Sequence, residues 1–240
     1  MDILSKVRRF QTSVPMLGLK ETLRTQIAHL FGYDPAKDRS FDKRYKTDTT
    51  AIVRSGDLGI AEEETRRAAV LYVSCPPRFE RHILRTLGVS YKDFDFVDMG
   101  CGKGRVLMIA SEWPFRSVTG IEISEALCAI AEKNLQVFKS SSQKCSKVSV
   151  HSMDARAFPI YNNNTVFHFY HPFQQEILRP ILERIASCFQ DSNKKAIIVY
   201  IRKEIQDLFP VFDEFRFTRL RHVQSLNSRY QYAVFSQGHG

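Results

Sequence analysis

Phe94-Asp95-Phe96-Val97-Asp98-Met99-Gly100-Cys101-Gly102-Lys103-Gly104-Arg105 is the stretch on which the fold turns. Its first half is short and apolar at Phe94, Phe96 and Val97, the pattern of a buried strand. Three glycines then turn the chain into the helical pattern Val106-Leu107-Met108-Ile109-Ala110. A strand, a glycine turn and a helix N-terminus make a site of nucleotide size. Gly100 and Gly102 allow a ligand close to the backbone, and Gly104 lets the helix start near the strand. The spacing is G-x-G-x-G, one residue short of the dinucleotide fingerprint G-x-G-x-x-G. Asp98 adds a carboxylate at the strand end, two residues ahead of the first glycine. A carboxylate there opposes a pyrophosphate and suits a ligand carrying positive charge.

Working outward, strands and helices alternate, the order of a parallel sheet with crossover helices. Helix 105–112 stops before Pro114, and Ser117–Glu122 reads as the second strand. Ser124 is the N-cap candidate for a helix over 125–138, with Leu127, Ile130, Ala131, Leu135 and Phe138 on one side. Residues 147–151, 165–170 and 196–201 read as three further strands, and a helix over 175–189 is expected to break at Pro180. Residues 215–220 and 230–235 both alternate and are joined by a polar turn with Asn227 and Ser228, which predicts an antiparallel hairpin at the sheet edge. Upstream, Pro76-Pro77 opens a helix over 78–87 closed by Gly88. A charged helix starts near 62–69 and leads into Val70–Val73. Residues 1–33 carry a partial helical stripe, 34–40 read as a polar loop, and 41–49 pack aromatic and charged residues without periodicity.

The run Val97–Gly104 resembles the first motif of class I S-adenosylmethionine (SAM) methyltransferases. The resemblance spans about 70–236 and implies a Rossmann-like α/β fold: a seven-stranded, mostly parallel sheet with a C-terminal antiparallel hairpin and helices on both faces. The expected organisation is an N-terminal helical extension and lid over 1–69 and a methyltransferase domain over 70–240. A closer similarity, through Phe41–Tyr45 and the Pro76-Pro77 helix, is to small uncharacterised bacterial methyltransferases with a Tyr-Asn-Pro-Phe motif. SAM is the implied cofactor, and that family names no acceptor.

Candidate site residues follow. Ligands bind at the carboxyl ends of the strands, where Asp98, Glu122, Asp154 and Tyr170 all fall. Glu122, eighteen positions after Gly104, can accept hydrogen bonds from both hydroxyls of a ribose, a role open to a SAM or an NAD site. By resemblance, the cofactor is bound by Asp98, Gly100, Cys101, Gly102, Gly104, Glu122, Ile123, Asp154, Ala155 and Tyr170, with Ile123 bordering the adenine and Asp154 reaching its amino group. Cys101 fits the turn through its size. Tyr170-His171-Pro172-Phe173 resembles the Asn/Asp-Pro-Pro-aromatic motif of amino-group methyltransferases, which assigns catalysis to Tyr170, His171 and Phe173. His171 stands where that motif has an amide, so it reads either as a general base or as a histidine satisfied by the backbone. His168, two residues earlier, reads as packed in the sheet. Tyr45 and Asp48 are lid candidates, the alternative being an ordinary surface linker.

Composition bounds the rest. The 240 residues suit one α/β domain with an accessory segment, and 43% hydrophobic residues supply a core. No apolar run approaches the roughly eighteen residues of a membrane span, and the first ten residues carry charges where a signal peptide is apolar. A cytoplasmic protein without membrane contact is expected. Five scattered cysteines, none spaced C-x-x-C, argue against a disulfide framework and against a metal site. The net charge of +9 is spread along the chain, which permits nucleic-acid contact but favours a solvated basic surface. The expected activity is SAM-dependent methyl transfer to a small molecule or protein. The alternatives are RNA methylation, a non-catalytic SAM-binding module, and an NAD oxidoreductase, the last in conflict with Asp98. Oligomeric state is not encoded in these patterns.

Overall fold

The computed structural model describes residues 35–50, 53, 72–170, 173–202, 204–224 and 231–238. Thirteen helices and strands alternate among them. Helix α1 (Pro35–Tyr45) and helix α2 (Pro77–Thr86) precede strand β1 (Asp95–Met99). Next come α3 (Arg105–Ala110), β2 (Ser117–Glu122), α4 (Glu125–Val137), β3 (Val148–Ser152) and β4 (Thr165–Tyr170). Helix α5 (Gln175–Phe189), β5 (Ala196–Arg202), α6 (Phe209–Glu214), β6 (Thr218–Gln224) and β7 (Gln231–Gln237) complete the series.

The seven strands form one sheet in the order β3-β2-β1-β4-β5-β7-β6. The first five are parallel, and β7 enters antiparallel between β5 and the edge strand β6. The chain leaves β1 toward β2 and β3, then returns to β4 on the other side. The order therefore reverses between β1 and β4, and the carboxyl ends of these two strands flank the crevice. Residues of β1 and β4 alternate between the faces. Phe96, Val166 and Val199 pack under α2 and α3 with Ile83, Leu84 and Met108. Val97, Phe167 and Ile198 pack under α5 and α6 with Ile181, Leu182 and Phe212. Both faces are covered, which is why these strands read as nearly continuous apolar runs.

Three expectations are corrected. Residues 34–40 were read as a loop and 41–49 as aperiodic, but Pro35–Tyr45 is helical. Pro35 suits a first helical position, and Phe41 and Tyr45, one turn apart, both face Phe138 with ring centroids at 6.3 and 4.7 Å. Helix α5 runs unbroken through Pro180. An interior proline costs about 3 kcal/mol, less than the burial of Ile177, Leu178, Ile181, Leu182, Ile185 and Phe189 returns along the same helix. Finally, α6 falls in a stretch to which the sequence pattern assigned no element. The expected extension over 1–33, the helix near 62–69 and the 225–230 turn lie outside the described residues.

Candidate active site

Gly100, Gly102 and Gly104 all have positive φ, at 85, 52 and 79°. The β1–α3 loop thus takes a left-handed course that residues with a Cβ resist. Its first N–H groups, from Gly100 and Cys101, both donate to the Ile121 carbonyl at 2.8 and 3.0 Å, tying the loop to β2. A Cβ on Gly102 would lie 2.3 Å from the Tyr72 ring, and one on Gly104 3.1 Å from the Ala131 Cβ of α4. Close approach is therefore built in on two sides. Cys101 is buried against Gly120, and burial raises its thiol pKa well above the ordinary value, which leaves it inert as a nucleophile.

Beneath the loop lies a buried ionic relay. Register pairs Asp98 of β1 with His168 of β4. His168 Nδ1 is 2.7 Å from Asp98 Oδ1, and its Nε2 is 3.1 Å from Glu80 Oε2 on α2. All three side chains are at most 2% exposed. Ionised carboxylates only accept, so both ring nitrogens must carry protons. Burial alone would lower the His168 pKa, but Glu80 and Asp98 lift it to about 10. Burial raises the Asp98 carboxyl, an increase that His168 limits. Glu80 Oε2 also accepts from the Cys75 thiol at 3.4 Å, whereas its Oε1 is buried without a hydrogen-bond partner. His168 is packed in the sheet as expected, but its two carboxylate partners were not foreseen.

Glu122 closes β2 with its carboxylate turned back to the loop. Oε2 accepts from Gly102 N and Oε1 from Ser124 N, both at 2.9 Å. Burial raises its pKa in spite of these donors. A carboxylate has about four lone-pair sites, so capacity for a further donor remains beside the backbone groups of Gly102, Ile123 and Ser124. Ser124 Oγ caps α4 by accepting from Leu127 N at 3.3 Å. Ile123 is half-buried and packs against Leu127. Past β3, Asp154 accepts from Arg156 N at 2.7 Å and from the Arg156 guanidinium at 2.6 and 2.9 Å, with Ala155 buried behind it. Burial raises the Asp154 carboxyl, but the Arg156 contacts outweigh it and leave the pKa lowered. Asp154 is thus committed to a neighbour.

Residues 42–50 are fastened to the loop from outside. Asp42 accepts from Thr47 Oγ1, Thr49 N, Thr49 Oγ1 and Thr50 Oγ1 at 2.5–2.9 Å. Arg105, fully buried at the start of α3, donates from Nε to Thr49 Oγ1 at 2.6 Å and from Nη2 to Thr50 Oγ1 at 2.9 Å. Its guanidinium lies 3.7 Å from Asp42 and 5.2 Å from the Phe41 ring centre. Lys103 Nζ meets both Asp48 oxygens at 3.1 and 3.2 Å. Asn134 of α4 bridges the backbone of Asp48 and Lys103, and the Tyr72 hydroxyl donates to the Thr49 carbonyl at 2.8 Å. Of the two lid candidates, Asp48 reaches the loop through Lys103, whereas the Tyr45 ring packs against Phe41 and Phe138.

Tyr170 ends β4, half-buried, and the Phe173 ring is 6.4 Å from Phe169. His171 lies outside the described residues. The structure therefore gathers Asp98, Gly102, Gly104 and Glu122 around one loop. Glu80, Arg105, Thr49, Tyr72 and Asn134 belong to the same neighbourhood and were missed. Glu80 had a signal: it lies three and four residues before Ile83 and Leu84, on the apolar side of its helix.

The charges decide the ligand class. Arg105 and Lys103 already face Asp42 and Asp48, which among the described residues leaves Glu80, Asp98 and Glu122 against a single cation, His168. Glycines with no side chain in the way and a buried negative excess fit an adenosyl cofactor bearing positive charge. They do not fit a pyrophosphate. Residues 96–191 match the family model of a methyltransferase domain. Those residues, two-fifths of the chain, carry a methyltransferase domain. No curated protein is significantly similar to it in sequence. Among solved structures, the N-methyltransferase NodS of Bradyrhizobium japonicum WM9 is 13% identical, with a TM-score of 0.50 over 67% of this chain and 95% of that one. The pyocyanin biosynthetic protein PhzM is 14% identical, with a TM-score of 0.52 over 66% of this chain and 54% of that one, so the domain spans about half of PhzM. The mitomycin 7-O-methyltransferase MmcR is 12% identical, with a TM-score of 0.50 over 67% and 53%. These likenesses establish the fold. NodS is an N-methyltransferase and MmcR an O-methyltransferase, so the fold leaves the acceptor atom open. None of the helices among the described residues is long and apolar enough to cross a membrane.

Proposed function

We propose that this chain transfers the methyl group of SAM to a small-molecule or protein acceptor in the cytoplasm, as one of the small bacterial methyltransferases that its Tyr170-His171-Pro172-Phe173 motif resembles. The observation that carries the reading is the unmatched negative charge under the glycine loop. In this reading Asp98 faces the cofactor's methionine end and Glu122 uses its remaining lone pairs for the ribose hydroxyls. Ile123, Ala155 and Asp154 border the adenine, Asp154 acting from an orientation fixed by Arg156. SAM supplies an activated methyl group when bound, so the protein's part is alignment, water exclusion and acceptor deprotonation. Tyr170 and Phe173 line the acceptor side at the end of β4, and His171 takes the acceptor proton.

The lid in this reading is Thr47–Thr50 with Tyr72, and Tyr45 serves only to hold α1 against Phe138. The proposed division is residues 1–69 as an accessory segment and 70–240 as the catalytic domain. Titration calorimetry with SAM, S-adenosylhomocysteine and NAD tests the ligand, and failure to bind either sulfur compound refutes the reading. Incubation with methyl-labelled SAM and separated metabolite, protein and RNA fractions then tests the acceptor. Label in the metabolite or protein fraction is expected. Label in RNA corrects the acceptor class, and binding without transfer to any fraction identifies a binding module.

A further inference from the structure

The loop's glycines and Glu122 are held by backbone hydrogen bonds, but Asp98 is held by a side chain from another strand. We infer that His168, with Glu80 behind it, is a positioning residue for the cofactor: it keeps Asp98 oriented and ionised under the glycine loop, where the methionine end of SAM would meet it. This rests on the reading that Asp98 serves that end of the cofactor.

Three observations carry it. First, β1 and β4 place Asp98 and His168 in direct register, so the 2.7 Å contact is set by the sheet and needs no long flexible side chain. Second, Glu80 fixes the imidazole from the opposite side at 3.1 Å, which leaves the ring no free rotation between the two carboxylates. Third, the relay does not balance. Among the described residues two carboxylates share one cation, and Glu80 Oε1 is buried without a donor. Such an excess is costly unless a further positive group completes it. An ammonium group at Asp98 would do so.

Among the described residues, the other groups facing the relay do not supply that charge. Cys75 donates a neutral thiol to Glu80, and burial and Glu80 keep it protonated. Phe96 lies 5.7 Å from the imidazole. Arg105 is the nearest buried cation, reaching the Cys75 carbonyl at 3.4 Å, but it is matched by Asp42. Glu122, beyond Asp98, adds a further negative charge. Without His168, burial and Glu80 would drive Asp98 to take up a proton and lose its hold on a cation.

The test compares wild type, His168→Gln and Glu80→Gln by calorimetry from pH 6 to 9. The ligands are SAM, S-adenosylhomocysteine and 5′-methylthioadenosine, which keeps the adenosine and the sulfur but lacks the amino-acid end. His168→Gln keeps one donor and removes the charge. It should weaken SAM and S-adenosylhomocysteine about tenfold at pH 7, more at pH 6 and less at pH 9, with methylthioadenosine within about twofold of wild type. Glu80→Gln should weaken the same two ligands less, with the same selectivity. Unchanged SAM affinity in both variants refutes the inference, and so does a parallel loss of all three ligands, which marks a merely structural role. If His168→Gln does not fold, Glu80→Gln and the ring 15N spectrum of wild type decide: two protonated ring nitrogens at pH 7 support the relay and a neutral ring overturns it. A wild type that binds neither SAM nor its product refutes the cofactor reading itself, a result distinct from any difference among variants.

Discussion

Replacing Asp42 by alanine tests the fastening of the N-terminal segment most directly. The substitution removes one carboxylate that accepts four hydrogen bonds, and it leaves the buried Arg105 guanidinium without the carboxylate beside it. Breaking a buried ion pair from one side costs about 3–5 kcal/mol. Asp42 is partly exposed, so the lower end applies, about 3 kcal/mol, or roughly 6–12 °C in Tm for a domain of this size. Arg105→Met keeps the stem that packs near Phe41 and leaves Asp42 its four donors, so it should cost less, about 1–2 kcal/mol. The double variant removes both charges and should be more stable than the sum of the singles by about 1–3 kcal/mol. Circular-dichroism melts of the four proteins provide the cycle. The sign of the pH dependence adds a check. Burial raises the Asp42 carboxyl, but its hydrogen bonds, led by Thr49 and Thr50, leave the pKa below 3.8. Its contribution is therefore present above the ordinary carboxylate pKa and lost as pH falls through the lowered one, so Asp42→Ala should flatten the acid limb of stability. Additivity within about 0.5 kcal/mol, or a Tm shift under about 2 °C for Asp42→Ala, would refute the pairing.

Ser124→Ala removes the α4 cap and should lower stability by about 1 kcal/mol, seen as a 2–4 °C drop in Tm. Gly104→Ala places a Cβ at φ 79° and 3.1 Å from Ala131, for which we expect a loss of about 1–2 kcal/mol in urea unfolding. Asp98→Ala strips His168 of a partner and should destabilise the fold as well as abolish SAM binding. Asp98→Asn, which keeps an acceptor, should abolish binding with a smaller change in Tm, and micromolar affinity in that variant would misplace the methionine pocket. Stability should decline as pH rises from 6.5 towards 10, because His168 is protonated in the fold up to about 10 and in the unfolded chain only to 6.5. The decline should vanish in His168→Gln, as urea titrations at stepped pH can show.

The sheet was legible because its signals are local. Two strands, Ser117–Glu122 and Thr165–Tyr170, fall where alternation and flanking turns place them, and Ser124 caps its helix as its residue type suggests. The loop was legible because its φ values favour glycine at three positions. Helix α1 was not, since its apolar side is just Phe41 and Tyr45, and what makes it helical is Phe138, nearly a hundred residues away. The relay was hidden for a related reason. Asp98, His168 and Glu80 are separated by 70 and 88 positions, and no spacing rule reports a pairing made by sheet register and a helix crossing over it. Arg105 stands in the sequence only as the start of the helix after the glycine turn, and nothing local marks it as a residue the fold buries.

That burial bears on how, in the proposed function, this loop would select a cation. Lys103 and Arg105 flank Gly104, so the loop that is to receive a positive ligand carries two positive side chains of its own. Left unmatched, they would cancel most of the charge of Asp98, Glu80 and Glu122 in a medium where charges interact strongly. Asp42 and Asp48 prevent this by pairing with them from outside. The two charge systems are therefore not independent: the N-terminal segment neutralises the loop's cations, and the relay supplies the negative charge that remains. Loosening residues 42–50 should weaken a cationic cofactor electrostatically, even where none of these side chains touches it. Asp48→Asn separates this effect from cover, because it frees Lys103 and leaves intact the backbone hydrogen bonds of Asp48 to Asn134. A salt-dependent loss of SAM affinity in that variant supports charge matching, and a loss indifferent to salt would assign the segment to steric cover instead.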